Sequence, residues 1–298
     1  IILWMKKHEP IHFSKTARFL LPHDYINMYL SGGTTIDCME AGDASGSGFF
    51  DAEQRVFDRK LMDTIDPRLV SMLPSGLVDS DSAIGTLDSA VASSLGLGGG
   101  DSDPGSGSGS GIVLAPGSGD NAMSALSSGA SIPGSSLVLS LGTSGTLCAC
   151  SGTPVLDPSG VVAPFCDATG EWLPLVCIQN CTQVPEEIRQ TSSLSVDEIT
   201  SLAALEPEGS RGVVILPYFS GGERTPDIPV AAGSIHGLRM GFLSRPGLLY
   251  RAALEGVTFG LYRYVCDCVC TSPFLILCVY ECKLPGVVGG ICACWNWD

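Results

Sequence analysis

Between Ile112 and Thr146 two short apolar runs are each cut off by a glycine-rich turn, and this pairing constrains the chain more than any other feature. Ile112–Ala115 reads as a buried strand. Pro116 and Gly117 end it, Gly117-Ser118-Gly119 makes a tight turn, and Asp120-Asn121 opens a helix over Ala122–Leu126. Leu137–Leu141 reads as a second strand, and Gly142-Thr143-Ser144-Gly145 reverses the chain into Thr146 and Leu147. Strands alternating with helices place the chain in the α/β class.

Each turn suits a particular chemistry. A carboxylate at a strand-to-helix turn is partly desolvated and held by fixed backbone, which is where a general base belongs. A glycine hairpin leaves its amide N–H groups bare, and Thr143 and Ser144 add hydroxyls, so the loop can cup phosphate oxygens. Taken singly, Asp120 is also a common helix cap and Gly-Thr-Ser-Gly a common hairpin turn. Their closeness in sequence favours the functional reading over either plain one.

Charge narrows the choice. The net charge is −15, and no Lys or Arg occurs from Leu69 to Ile188. Nucleic-acid binding leans on basic contacts to phosphate, so it is not expected. A nucleotide bound by this span would need backbone N–H groups, hydroxyls and a metal ion. No Gly-Lys-Ser/Thr loop exists in the chain, in keeping with that pattern. Gly117-x-Gly119-x-x-Ala122 fits a dinucleotide fingerprint, yet the acid it needs further on is missing, since no Asp or Glu lies between Asn121 and Leu156. There is no Gly-x-Ser-x-Gly elbow for a serine hydrolase. The four histidines lend zinc hydrolysis no support.

The two turns, GSGDNAMSAL and SLVLSLGTSGTL, resemble the FGGY carbohydrate kinases, in particular their xylulose-phosphorylating branch. The resemblance implies an actin-like (ribonuclease H-like) ATPase fold of two α/β domains. It implies Asp120 as catalytic base and, with Asn121, as a sugar ligand, and Gly142, Thr143 and Ser144 as the second phosphate loop. The activity implied is ATP- and Mg²⁺-dependent phosphorylation of a ketopentose, D-xylulose first. A kinase for another ketose or polyol, and an inactive fragment that binds sugar or a partner, stay open as alternatives. The partner expected is a small sugar, with no nucleic acid and no membrane; the compartment expected is the cytoplasm, with a plastid left open. No run reaches 18 apolar residues, and IILWMKKHEP lacks the order of a signal peptide.

Other phrases carry the same resemblance: Lys15–Asn27, Gly42–Gly46, Asp167–Leu175, Pro217–Pro226, Gly233–Leu238 and Ala252–Gly256. Residues 1–133 then correspond to the later part of the first kinase domain and 134–265 to the earlier part of the second, an incomplete copy. The first phosphate loop and the adenosine region of the family find no counterpart, and Gly286–Gly290 is at most a faint trace of the latter. The low-complexity run Gly98–Gly111 is read as an enlarged loop.

Residues 1–30 read as broken helices, with His23 structural. Asp43 reads as a turn or cap residue. Helices are expected over Glu53–Ile65, Thr86–Leu95, Val184–Gln190, Val196–Leu205 and Leu248–Val265. Strands are expected over Val161–Asp167, Trp172–Cys177 and Gly212–Leu216. Of 13 cysteines, the six between Cys38 and Cys181 suit reduced, buried thiols. The other seven crowd into 266–298, a tail read as unrelated to the family; its Cys-x-Cys spacing is too short for a zinc knuckle.

Overall fold

A computed structural model describes residues 1–33, 37–97 and 111–269. The expectations for the run 98–110 and for the tail beyond Val269 lie outside these residues. The chain divides into two compact units. The first comprises Ile1–Pro133, Cys150–Leu156 and Pro164–Pro174; the second comprises Gly134–Ala149, Asp157–Ala163 and the described residues from Leu175 on.

The first unit begins with three helices, α1 (Ile2–His8), α2 (Pro10–Lys15) and α3 (Pro22–Leu30). Pro10 and Pro22 each open a helix, where a missing N–H costs nothing. Next come β1 (Cys38–Glu40) and the single turn α4 (Ala41–Ala44). They are followed by the hairpin β2 (Phe50–Asp51) and β3 (Val56–Phe57), then by α5 (Arg59–Ile65) and α6 (Leu69–Met72). β4 (Gly76–Val78) pairs parallel with β1, Cys38 facing Gly76 and Glu40 facing Val78. β5 (Gly85–Thr86), α7 (Ser89–Ser94), β6 (Val113–Leu114) and α8 (Asp120–Ser127) complete the run. Phe49, Met62, Leu69, Met72 and Leu73 form one buried core; Leu87, Ala92 and Leu114 form a second.

The helix expected over Glu53–Ile65 is shorter than its apolar pattern. Arg55 takes a positive φ of 54°, which closes the β2–β3 hairpin. Asp58 then caps a new helix by accepting the Leu61 N–H at 3.0 Å. Likewise the helix near Thr86–Leu95 starts only at Ser89, where Asp88 accepts the N–H groups of Ala90 and Val91. β6 is half-buried rather than buried, since Leu114 is inside and Val113 faces out.

In the second unit β7 (Leu137–Leu141) and β8 (Gly145–Ala149) form an antiparallel hairpin, with Leu141 opposite Gly145. Next along the chain come β9 (Ala163–Cys166), which belongs to the first unit from Pro164 on, and β10 (Trp172–Ile178), whose Leu175–Ile178 end belongs to the second unit and pairs antiparallel with β8. Asp167 closes the turn between β9 and β10 by accepting the N–H groups of Thr169 and Glu171. The Trp172 end of that turn belongs to the first unit: its Nε1 donates to Ala52 O at 2.8 Å, and the Arg55 guanidinium lies 4.7 Å from its ring centre.

α9 (Gln183–Ser192), α10 (Val196–Ala204), β11 (Val214–Leu216), β12 (Ser234–His236) and α11 (Pro246–Val269) complete the second unit. α11 packs on α9, α10 and β11. The core there includes Val184, Ile188, Ile199, Ile215, Leu248 and Ala253. No helix among the described residues is long and apolar enough to cross a membrane.

Candidate active site

In the first unit, Asp120 is the first residue of α8 and is exposed. Gly119, not Asp120, is the cap residue, so the carboxylate is left out of helix capping. Its Oδ1 accepts the Asn121 N–H at 2.9 Å and lies 3.4 Å from the Asn121 side-chain amide. An acid in the first turn also sits favourably in the helix dipole.

The turn before it is bracketed by buried polar groups. Asn27 on α3 donates to Ala115 O at 3.2 Å and to Pro116 O at 2.9 Å. Gly117 has a φ of 79°, and a Cβ there would meet the His23 ring at 3.2 Å. Ser118 Oγ donates to Glu40. A Cβ on Gly119 would lie 3.3 Å from Asp43 Oδ1. The glycines of this turn thus let α3 and α4 close upon it.

The bracket is crowded with acids. His23 Nε2 lies 3.3 Å from Asp24 Oδ1 and is paired more closely with Asp43 Oδ2. Burial pushes the Asp43 carboxyl up to about 6, against the pull of His23. Burial raises Asp24 and Glu40 as well. The cap role expected of Asp43 belongs instead to Glu40, which accepts the Asp43 N–H at 3.3 Å, while the half-buried Asp43 side chain pairs with His23. His23, Asp24 and Asp43 offer donor atoms within 4.8 Å of one another, enough in chemical type to hold a cation. The imidazole already stands between the two carboxylates.

The reading that the histidines lend zinc hydrolysis no support passes over His8-Glu9-Pro10-Ile11-His12, which has the spacing of a zinc-binding helix. The structure separates its parts. α1 ends at His8, α2 begins at Pro10, and Glu9 between them is non-helical and bonded to His12 at 2.9 Å. The two histidines therefore do not share one helix face.

In the second unit, Leu141–Ser144 at the tip of the β7–β8 hairpin are all exposed. Gly142 N donates to Ser144 O at 2.9 Å, closing the turn. Gly142 O accepts from Thr182 N at 3.1 Å and from Thr182 Oγ1 at 2.7 Å, and Thr143 O accepts from Cys181 N at 3.1 Å. A trans peptide points its C=O and N–H in opposite directions. With both carbonyls turned toward the start of α9, the N–H groups of Thr143 and Ser144 face away from it. That edge, with the two hydroxyls, can receive an anion without a lysine. Beside it in the same unit, Gln183, Glu187, Phe219, Ser220 and Gly233 line a cavity of about 470 Å³.

Residues 1–126 match the N-terminal domain of the FGGY family of carbohydrate kinases, and residues 137–275 match its C-terminal domain. The xylulose kinase of Haemophilus influenzae is 35% identical over 266 residues, covering 89% of this chain and 50% of that protein. The xylulose kinase of Streptomyces rubiginosus is 36% identical over 264 residues, covering 87% and 47%. The solved structure of a xylulose kinase from Bifidobacterium adolescentis superposes with a TM-score of 0.75 at 28% identity, over 93% of this chain and 56% of that one. The chain thus spans about half the length of the relatives it matches.

Proposed function

Since this chain belongs to the FGGY family of carbohydrate kinases, we propose that it carries the proton-accepting and phosphate-holding parts of an ATP-dependent ketopentose kinase, with D-xylulose as substrate. The boundary between its two kinase domains is placed at residues 133–134. The observation that carries the reading is Asp120, exposed at the head of α8 on a turn that buried groups hold from both sides.

Asp120 takes the proton of the sugar hydroxyl as its oxygen attacks the γ-phosphorus of ATP. The bond from that phosphorus to the β,γ-bridging oxygen breaks, and ADP leaves. Asn121 hydrogen-bonds the sugar and sets the angle of attack. The N–H edge and hydroxyls of Gly142, Thr143 and Ser144 hold the β- and γ-phosphates. Mg²⁺ fits a lysine-free loop of this kind, because it travels on the phosphates and neutralises charge there. Catalysis of this sort is positioning and electrostatics. A cytoplasmic setting suits Cys38, Cys148, Cys150, Cys166, Cys177 and Cys181, which are free thiols.

The test is an ADP-release assay on the purified chain with D-xylulose, ribulose, deoxyxylulose and glycerol. Release that depends on D-xylulose, and that falls about 10²–10⁴-fold in Asp120→Ala while sugar binding persists, supports the reading. Thermal stabilisation by sugar without ADP would make the chain a sugar binder. Unchanged turnover in Asp120→Ala would remove Asp120 from the role.

A further inference from the structure

Glu223 is a buried carboxylate, 4% exposed, in the loop that follows β11. Among the described residues no Lys or Arg forms an ion pair with it. Its partners are N–H groups: Gln179 N at 2.6 Å, Arg224 N at 2.8 Å, Asn180 Nδ2 at 2.9 Å, Asn180 N at 3.2 Å and Thr225 N at 3.4 Å. Every one is a donor. A carboxylate, which only accepts, fits this place, whereas a carboxamide would turn its own N–H₂ toward donors.

Asn180 is fully buried and extends the network. Its Nδ2 also donates to Gly222 O at 2.7 Å, and its Oδ1 accepts from Ser220 N at 2.9 Å and Ser220 Oγ at 2.7 Å. The next two residues, Cys181 and Thr182, are those whose N–H groups hold Thr143 O and Gly142 O. Ser220, on the other side of Asn180, lines the cavity, as does Gln183, the first residue of α9. One carboxylate is therefore tied, through one asparagine, to the hairpin tip and to the cavity wall. A buried charge without a counter-ion is expensive to keep, and a plain loop closure does not require one.

We propose that Glu223, acting through Asn180, is a positioning residue that locks the Gly142–Ser144 hairpin and the Phe219–Ser220 wall into one rigid piece, so that a nucleoside triphosphate meets its phosphate donors already in place. This rests on the reading of the hairpin as a phosphate loop. Preorganisation of donors is what makes such loops bind and stabilise charge.

The experiment compares Glu223→Gln with Glu206→Gln in the full chain. Glu206 is also buried in the second unit and holds Arg211 and Arg245, with no bond to the hairpin. Hydrogen exchange is followed at the Cys181 and Thr182 amides, Mg·ATP affinity by calorimetry, and sugar binding by thermal shift. In Glu223→Gln the two amides should exchange about tenfold faster and Mg·ATP affinity should fall about tenfold, as loss of one buried charged hydrogen bond implies. Sugar-induced stabilisation should stay as it was, and Glu206→Gln should change neither quantity by more than about twofold.

Unchanged exchange in Glu223→Gln, or an equal effect from Glu206→Gln, overturns the proposal. Faster exchange in a chain that binds no ATP even as wild type leaves the mechanical link standing and sinks the phosphate-loop reading instead. Should Glu223→Gln fail to fold, Thr182→Val removes only the hydroxyl bond to Gly142 O. It must then loosen the hairpin amides locally, and no change there overturns the proposal as well.

Discussion

His23 is paired through Nε2 with Asp43 Oδ2, and the pair flanks the turn that presents Asp120. Burial lifts the Asp43 carboxyl from 3.8 to about 6. An acid whose folded pKa is raised holds its proton more firmly in the fold. Its contribution to stability is then complete below the unfolded value and is lost as pH rises through the folded one. The melting temperature of the wild type should therefore fall relative to Asp43→Asn as pH goes from 3.8 to about 6. Melting curves taken in half-unit steps of pH test this, and a difference that stays flat across the window contradicts it.

Asn27 gives a second expectation. It donates to two backbone carbonyls, Ala115 O and Pro116 O, in the turn that leads to Asp120. Asn27→Leu keeps the volume but leaves both oxygens without that partner. The loss should be about 1–3 kcal/mol in urea unfolding. In an active chain, turnover and sugar affinity should both fall, because the turn carries the proposed base Asp120 and the proposed sugar ligand Asn121 side by side. A variant with wild-type urea midpoint would show that the turn does not depend on α3.

The parts legible in the sequence are those fixed by neighbours along the chain. Leu137–Leu141 is a strand and Gly142–Ser144 its hairpin loop, because an apolar run meets a glycine where the chain must reverse. Helices α9 and α10 carry their own stops and caps, such as Ser195 with Glu198. What could not be read is pairing across distance. Nothing local says that His23 will meet Asp43, or that Glu223 will collect the N–H groups of Gln179 and Asn180. The misplaced start of α5 has a local cause of another kind: Asp51 accepts the Gln54 N–H and Arg55 turns left-handed, so a hairpin takes residues whose apolar spacing also suits a helix.

The cysteines supply a chemical test of burial. Cys148, Cys166 and Cys181 are each pushed up to about 11 by desolvation, and Cys150, beside Asp167, to about 12. Because the thiolate is the nucleophile, these four should resist iodoacetamide at about pH 8 in the native chain and react once it is unfolded. Mass spectrometry of peptides labelled before and after urea reads this directly. Rapid native labelling of any of the four would mean that the thiol is open to solvent.

Two glycines of α11 should respond in opposite directions. A Cβ on Gly256 would lie 2.2 Å from Ile215 O, a backbone atom of β11 that cannot swing aside. Helix and strand meet there at a distance only glycine allows. Gly256→Ala gains about 1 kcal/mol of helix propensity, but forcing the elements apart costs about 1–3 kcal/mol or more, so the variant should be less stable. Gly260, one turn on, has nothing within 4 Å of the same position. Gly260→Ala keeps the propensity gain without the clash and should stabilise by up to about 1 kcal/mol. Denaturant unfolding of the two variants side by side checks both signs. If Gly256→Ala were as stable as Gly260→Ala, α11 could not be seated on β11 as closely as the backbone places it.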